Sequence, residues 1–294
     1  MELEAYQQYQ ETRLHEQPGF AYNTYLCTIP QDFDRVNLHW HDQMELIYIK
    51  KGSGTVSVNL SSHPVDAGCI VPVLPGELHA IEGDAGVRME YENIIFSLAL
   101  LDSLEADDWC RRVVLALSQG ALAFDRPIRP GTPLHAAAAA ALDAADEACA
   151  RRGDGYPLVV KSQLFMFLHA LYAHRSPQPR AARSDDAEKL KGLLAYVKAH
   201  YREPIAIADA ASVAGYSASH FMRVFRQVTG RTFVEFLTDY RLSAAVYYLK
   251  ETDDDIGGIA ANCGFENLSY FIRRFSQKYG VPPGKYRRQA REAQ

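Results

Sequence analysis

Hydrophobic positions change their period along the chain, and the changes divide it. From about Phe20 to Phe96, short runs rich in Val, Ile and Tyr alternate with Gly, Pro, Asn and Ser, the pattern of a small β-barrel or sandwich. "ELIYIKKGSGTVSVNL" from Glu45 predicts a hairpin turning at Gly52 to Gly54, and "AGCIVPVLPGELHAI" from Ala67 predicts strand, turn, strand. Further on, the period lengthens to that of helices. An alanine-rich segment from Leu134 to Arg151 is followed, across "RRGDGYP", by Pro157 to His174 with Leu158, Leu164, Phe165, Leu168 and Leu171, which predicts a helical hairpin. "RSPQPRAARSDD" from Arg175 has no apolar periodicity and reads as a linker. The expected fold is multidomain α+β without a parallel βαβ repeat: a barrel in residues 1–130, a helical hairpin in 131–174, a linker in 175–186 and an all-α domain in 187–294.

The all-α part contains one unit written twice. The first copy carries Gly215, Tyr216, Ser219, His220, Phe221, Arg223, Phe225 and Gly230; the second carries Gly264, Phe265, Ser269, Tyr270, Phe271, Arg273, Phe275 and Gly280. Gly215 to Gly264 is 49 residues and Ser219 to Ser269 is 50, so one inserted residue in the turn separates two matching helix-turn-helix patterns. Each copy closes a short apolar helix with glycine and starts a longer one from a polar cluster. In the longer helix of copy one, Phe221, Phe225 and Val228 form the core stripe, leaving Ser219, Arg223, Arg226 and Gln227 outward. In copy two, Phe271 and Phe275 face in, and Ser269, Arg273 and Gln277 face out. Arginine on such a face suits the major groove, where it pairs bidentately with guanine O6 and N7. Between the copies, Phe233 to Leu249 predicts one helix with Phe236, Leu237, Tyr240, Ala244 and Tyr247 on its inner face, a rod of roughly 25 Å. Two recognition helices on such a rod could enter successive major grooves about 34 Å apart.

The run from Lys189 to Arg288 resembles the DNA-binding domain of AraC/XylS-type transcriptional regulators, through "GYSASHFMRVFRQVTG", "RLSAAVYYL" and "CGFENLSYFIRRFSQKYGVPPGKYR". The resemblance implies base contacts by Ser219, Met222 and Arg223 in copy one and by Ser269, Ile272 and Arg273 in copy two. Met222 and Ile272 offer apolar contact only, such as to a thymine methyl. Where the family often has serine or threonine before the first leading helix, this chain has Ala206, with Asp209 in the first turn to compensate. Membership would further imply promoter DNA and RNA polymerase as partners, activation rather than repression, and a homodimer formed through the helical hairpin. Pattern alone equally allows the hairpin to cover one face of the barrel.

Within the β region, His39, His41 and Glu45 share parity, so on one extended strand they would face the barrel interior, with Trp40 and Tyr48 pointing away. The spacing from His39 through Glu45 to Gly52 resembles the first cupin motif, and "PGELH", ending at His79, resembles the second. That resemblance implies a divalent metal on His39, His41, Glu45 and His79, a ligand set that suits several transition ions. The regulator resemblance implies instead that these residues bind a small-molecule effector, a sugar or glycoside by family analogy, with no cofactor required. Both readings stand at this point.

Charge sharpens the division. From Asp186 onward 16 Lys+Arg stand against 12 Asp+Glu, a net of +4, and the remaining 15 against 24 give −9, which together make the overall −5. Nucleic-acid affinity follows the local value, so the C-terminal domain is suited to moderate non-specific binding. Cys27, Cys69, Cys110, Cys149 and Cys263 are odd in number and contain no C-x-x-C pair, as expected of a reducing cytoplasm. No apolar run approaches the roughly 18 residues that read as a membrane span, and the N-terminus has no basic-then-apolar signal pattern. These features converge on a cytoplasmic, effector-controlled transcription regulator. The alternative, a metal-dependent cupin enzyme such as a dioxygenase or isomerase with a helical appendage, leaves the duplicated arginine-bearing helices unexplained.

Overall fold

A computed structural model describes residues 20–32, 34–101, 108–176 and 185–292. The chain divides between Ala187 and Glu188 into two compact units. The first is β followed by α, and the second is helical.

Eight strands build the β part: β1 (Tyr22–Ile29), β2 (Arg35–His39), β3 (Met44–Lys51), β4 (Ser53–Val58), β5 (Ser61–Asp66), β6 (Ile70–Val73), β7 (His79–Gly83) and β8 (Met89–Phe96). They form two four-stranded sheets, β1-β8-β3-β6 and β2-β7-β4-β5, whose pairs are all antiparallel. The hairpin expected from Glu45 needs correction, whereas the segment from Ala67 is strand, turn, strand as expected, although its two strands do not pair. β3 and β4 lie in different sheets, as do β6 and β7, so the glycine turn and the "PGELH" segment carry the chain from one sheet to the other. Gly52 shows the cause at the first crossing: its φ is +77°, and a Cβ there would lie 2.3 Å from Arg88 O. Among the described strands, β4 and β5 are the consecutive pair that does form a hairpin, turning at Asn59 and Leu60 with φ of 46° and 72°, a left-handed pair that matches strand twist.

Between the sheets lies an apolar interior that includes Cys27, Ile47, Ile49, Val56, Val58, Val71, Ile81 and Tyr91. The outer face of the first sheet carries a second cluster, with Met44, Leu46, Ile70, Ile94 and Phe96. β3 is therefore buried on both faces, which is why its sequence reads as a continuous apolar run rather than an alternation. Tyr48 does point out of the barrel, but it is half-buried against that outer cluster.

Helices cover this outer face. After a 3-10 turn (Leu98–Leu101) come α1 (Asp108–Ser118), α2 (Pro133–Arg151) and α3 (Tyr156–Ala173). α1 has no counterpart in the sequence-based expectations. α2 begins where Thr132 Oγ1 accepts from His135 N at 3.1 Å, with Pro133 in the first turn. Ala138, Ala141 and Ala145 are buried, and with Leu142, Leu164, Phe167 and Leu168 they pack into the cluster under the sheet. Small side chains at this seam let α2 and α3 lie close together. Leu158, Val159, Phe165 and Met166 of α3 stay exposed.

The helical unit comprises α4 (Asp185–His200), α5 (Ile207–Val213), α6 (Ala218–Thr229), α7 (Phe233–Glu251), α8 (Ile256–Asn262), α9 (Leu268–Tyr279) and α10 (Pro283–Glu292). α4 starts at the end of the expected linker, most of which lies outside the described residues. α7 has 19 residues, about 28 Å. It does not carry a single inner stripe: Phe233, Phe236, Leu237, Leu242, Ala244, Ala245, Val246 and Leu249 are buried, and the expected Tyr240 and Tyr247 are half-buried. The helix is enclosed because α6, α8, α9 and α10 all contact it. No helix among the described residues is long and apolar enough to cross a membrane.

Candidate nucleic-acid interface and barrel site

Capping chemistry fixes both helix-turn-helix copies. Before α5, Asp209 Oδ2 accepts from Ala206 N at 3.3 Å; Ala206 itself has no side-chain acceptor, so only half of a capping box is made. α5 ends with Tyr216 N donating to Ala211 O at 2.9 Å around Gly215, and α8 ends with Phe265 N donating to Ala260 O at 3.0 Å around Gly264, the glycine-centred closure the sequence predicts. Ser217 Oγ then accepts from His220 N to start α6, and Asn267 Oδ1 accepts from Tyr270 N to start α9. Inside, Phe221 and Phe225 have ring centroids 5.4 Å apart and Phe271 and Phe275 5.7 Å. The four rings are fully buried and set the rotation of each helix.

That rotation leaves Ser219, Met222, Arg223, Arg226 and Gln227 exposed on α6, and Ser269, Ile272, Arg273 and Gln277 exposed on α9. Met222 is 47% and Ile272 37% exposed, so the two copies present a large apolar side chain at the same place, beside an arginine. On α9, Arg274 Nη1 donates to Gln277 Oε1 at 3.0 Å, and the Arg273 guanidinium lies 5.6 Å from the Tyr270 ring centroid. The outward-residue reading omits His220 and Tyr270, which are also exposed at matched positions; their place in the repeat, next to Ser219 and Ser269, is the signal that could have found them. Other basic groups are structural. Arg241 donates from Nε to Tyr201 O and from Nη2 to Glu203 O, both at 2.7 Å, and Arg231 is paired with Asp239.

The barrel cluster forms where three segments meet. His39 ends β2, His41 lies in the connection, Glu45 is the second residue of β3 and His79 begins β7. His39, His41 and Glu45 do not lie on one extended strand as expected: they converge because the chain bends between β2 and β3. His41, Glu45 and His79 are buried, and Trp40 is turned out. His41 Nε2 lies 2.7 Å and His79 Nε2 2.9 Å from Glu45 Oε2. Burial alone would favour a neutral Glu45, but His79 and His41 outweigh it and hold the carboxyl well below its usual range. Burial, together with the neighbouring His79, pushes His39 down to about 3. The "PGELH" turn is tied down from several sides. Glu77 accepts from Leu74 N at 2.8 Å, from Asn59 Nδ2 at 2.9 Å and from Arg126, whose Nη2 is 2.8 Å from Glu77 Oε2. Gly76 N also donates to His41 O at 2.7 Å, linking the turn to the other half of the cluster.

Family models match both units: "AraC-like ligand binding domain" over residues 23–168 and "Helix-turn-helix domain" over 210–289. The chain belongs to the AraC-type transcription regulators. The regulator is 28% identical over 266 residues to the HTH-type transcriptional activator RhaR of Klebsiella pneumoniae subsp. pneumoniae, spanning 87% of this chain and 88% of that one. It is 23% identical over 305 residues to the uncharacterized HTH-type transcriptional regulator YdeC of Bacillus subtilis, spanning 95% and 94%. ToxT from Vibrio cholerae, a solved structure, is 16% identical over 91% of this chain and 94% of its own, with a TM-score of 0.43. The family match carries the regulator reading and not the cupin-enzyme alternative: DNA and a small-molecule ligand are what the two matched domains bind as classes.

Proposed function

We propose that this regulator is a cytoplasmic one-component activator that places α6 and α9 in successive major grooves of promoter DNA and answers to a small molecule bound in the barrel. The observation that carries this reading is the pair of matched exposed faces on a duplicated scaffold. Ser219, Met222, Arg223, Arg226 and Gln227 contact DNA from the first, and Ser269, Ile272, Arg273 and Gln277 from the second. Arg223 and Arg273 read base edges, while Met222 and Ile272 meet thymine methyls. The effector binds at the end of the barrel marked by His39, His41, Glu45 and His79, and a sugar or glycoside suits such polar donors and acceptors. The chain acts as a homodimer through the apolar stripe of α3 and recruits RNA polymerase. Several relatives named as activators support the sign of the effect.

The test is binding of the full-length chain to its own promoter region at fixed salt, with and without a panel of sugars. Specific binding shifted by one ligand is the expected result. Arg223→Ala and Arg273→Ala should each weaken specific binding by about 1–3 kcal/mol and relax preference at one base position. A folded chain that binds this DNA no more tightly than random duplex, under every ligand tried, would overturn the reading.

A further inference from the structure

The strap of chain between α1 and α2 is pinned to the barrel at several points. Ile128 pairs with Ile70 through two backbone bonds of 2.8 and 3.0 Å, and Arg129 Nη2 donates to Pro64 O at 2.9 Å. Arg126 makes the most deeply buried of these attachments. Its Nη1 donates to Glu77 Oε1 at 3.2 Å and its Nη2 lies 2.8 Å from Oε2, in a pair whose side chains are 9% and 1% exposed. A two-pronged pair this dry is stiff, because parting it would leave a charge buried without its counter-ion.

Each end of this strap leads somewhere. On the barrel side, Glu77 O lies 2.9 Å from His79 Nδ1, and the adjacent Gly76 N donates to His41 O at 2.7 Å. The turn held by Arg126 is thus bonded to both His41 and His79 of the proposed effector site. On the other side, Ala123, three residues before Arg126, accepts through its carbonyl from Ser176 N at 2.8 Å. Ser176 is the last described residue before α4, so the strap joins the effector-site turn to the start of the tether that leads to the helical unit. The two joints are unequal: a single backbone hydrogen bond at a half-exposed residue opens readily, and the buried Glu77–Arg126 pair does not. Freeing Ser176 returns the origin of the tether to the end of α3 at Ala173, three residues back, or up to about 10 Å of extended chain.

We propose that Arg126 is a positioning residue that transmits the state of the effector-site turn to Ser176. With the turn as it stands, the tether is held at Ala123; a ligand that displaces the turn draws the strap away and releases it. Held and released are two discrete arrangements, which is what coupling between separate sites requires, and only a ligand that prefers one of them shifts the balance. This route rests on the proposed effector site and supplies the means by which occupancy there reaches the DNA-binding unit.

Hydrogen exchange read by mass spectrometry on the full-length chain, without DNA or ligand, tests the route. Arg126→Gln should speed exchange of the Ser176 amide by about 2–10-fold, the loss of one net hydrogen bond, while the amides of β3 and β8 stay protected. Arg126→Lys keeps a counter-ion for Glu77 and should restore most of that protection. His79→Ala, at the effector end, should speed Ser176 exchange as well. If Arg126→Gln fails to fold, as circular dichroism will show, combining it with Glu77→Gln removes both buried charges and keeps the test. On promoter DNA at fixed salt, Ser176→Pro, which removes the donor, and Arg126→Gln should shift affinity in the same sense, and the double variant no further than either alone. A folded Arg126 or His79 variant in which Ser176 exchanges as slowly as in the parent overturns the proposal, as do promoter effects that simply add. Failure of the regulator reading shows separately, as a parent chain that does not prefer its promoter, and the exchange result then decides alone.

Discussion

Gly215 and Gly264 occupy the same place in the two copies, yet their surroundings differ. Both have positive φ, 65° and 81°. A Cβ on Gly215 would meet only the end of the Lys189 side chain at 3.7 Å, whereas one on Gly264 would lie 2.6 Å from Tyr201 O and 2.9 Å from Arg241 Nε. Gly264 is thus the floor on which Arg241 reaches the carbonyls of Tyr201 and Glu203. Gly215→Ala should cost about 1 kcal/mol, the strain of a left-handed alanine. Gly264→Ala should cost more, about 2–4 kcal/mol, because backbone rather than a flexible side chain must move. Urea unfolding of the two variants checks this, and equal losses would remove the special role given to the Arg241 contact. At this scale the sequence was most readable: glycine, cap and phenylalanine positions are dictated by neighbours within a turn or two. Arg241 was legible only as part of a family motif, because its partners lie 40 and 38 residues away in the chain.

At the scale of elements, α2 docks on the barrel through a polar contact set into an apolar seam. Lys50 Nζ of β3 is 2.8 Å from Glu92 Oε2 of β8, and 3.8 and 3.9 Å from Asp143 and Asp146 of α2. Thr24 Oγ1 donates to Glu92 Oε1 at 2.6 Å. Glu92 is buried, yet its hydrogen bonds with Asp146, Lys50 and Thr24 hold it below the usual carboxylate range. Asp146 goes the other way: burial, then the Glu92 charge, push it up to about 8. The pair therefore shares one proton across the helix–sheet contact. A raised carboxyl binds its proton more tightly folded than unfolded, so Asp146 makes stability fall as pH rises from about 4 towards 8. Asp146→Asn supplies the hydrogen bond without the titration. Tm measured against pH should then lose that decline, and an unchanged slope would place the effect elsewhere.

Elements were legible in proportion to how local their code is. The duplicated helices declare themselves through caps and period, whereas β3 and β4 look like a hairpin because nothing within "KKGSG" says that the partner of β3 is β8, some forty residues on. The same non-locality hid the bend that gathers His39, His41 and Glu45, although their residue types and the second motif at His79 identified the cluster itself. α1 was not anticipated, and of its described residues only Leu117 is fully buried, with Trp109 and Leu115 exposed.

For the molecule as a whole, the uneven charge, +4 from Asp186 onward and −9 before it, confines phosphate attraction to one unit. Some of that positive charge is already engaged, as in the pairing of Arg231 with Asp239 and of Arg291 with Asp253 at 2.7 Å. Modest local charge makes a second contact with DNA valuable, and a dimer supplies it by raising the effective concentration of the second reader. The surface proposed for this is the stripe of α3, where Phe165 is 43% and Met166 57% exposed while Leu164, Phe167 and Leu168 hold the helix on the barrel. Phe165→Glu combined with Met166→Lys changes exposed positions and should leave the fold intact. Light scattering should show a dimer for the parent chain and a monomer for the variant. On DNA carrying two half-sites rather than one, the parent should gain about 10²–10⁴ in affinity and the variant nothing, with single-site affinity equal in both. A parent chain that is monomeric at micromolar concentration, yet shows the same two-site gain, would locate the cooperation in the helical unit itself rather than in the hairpin.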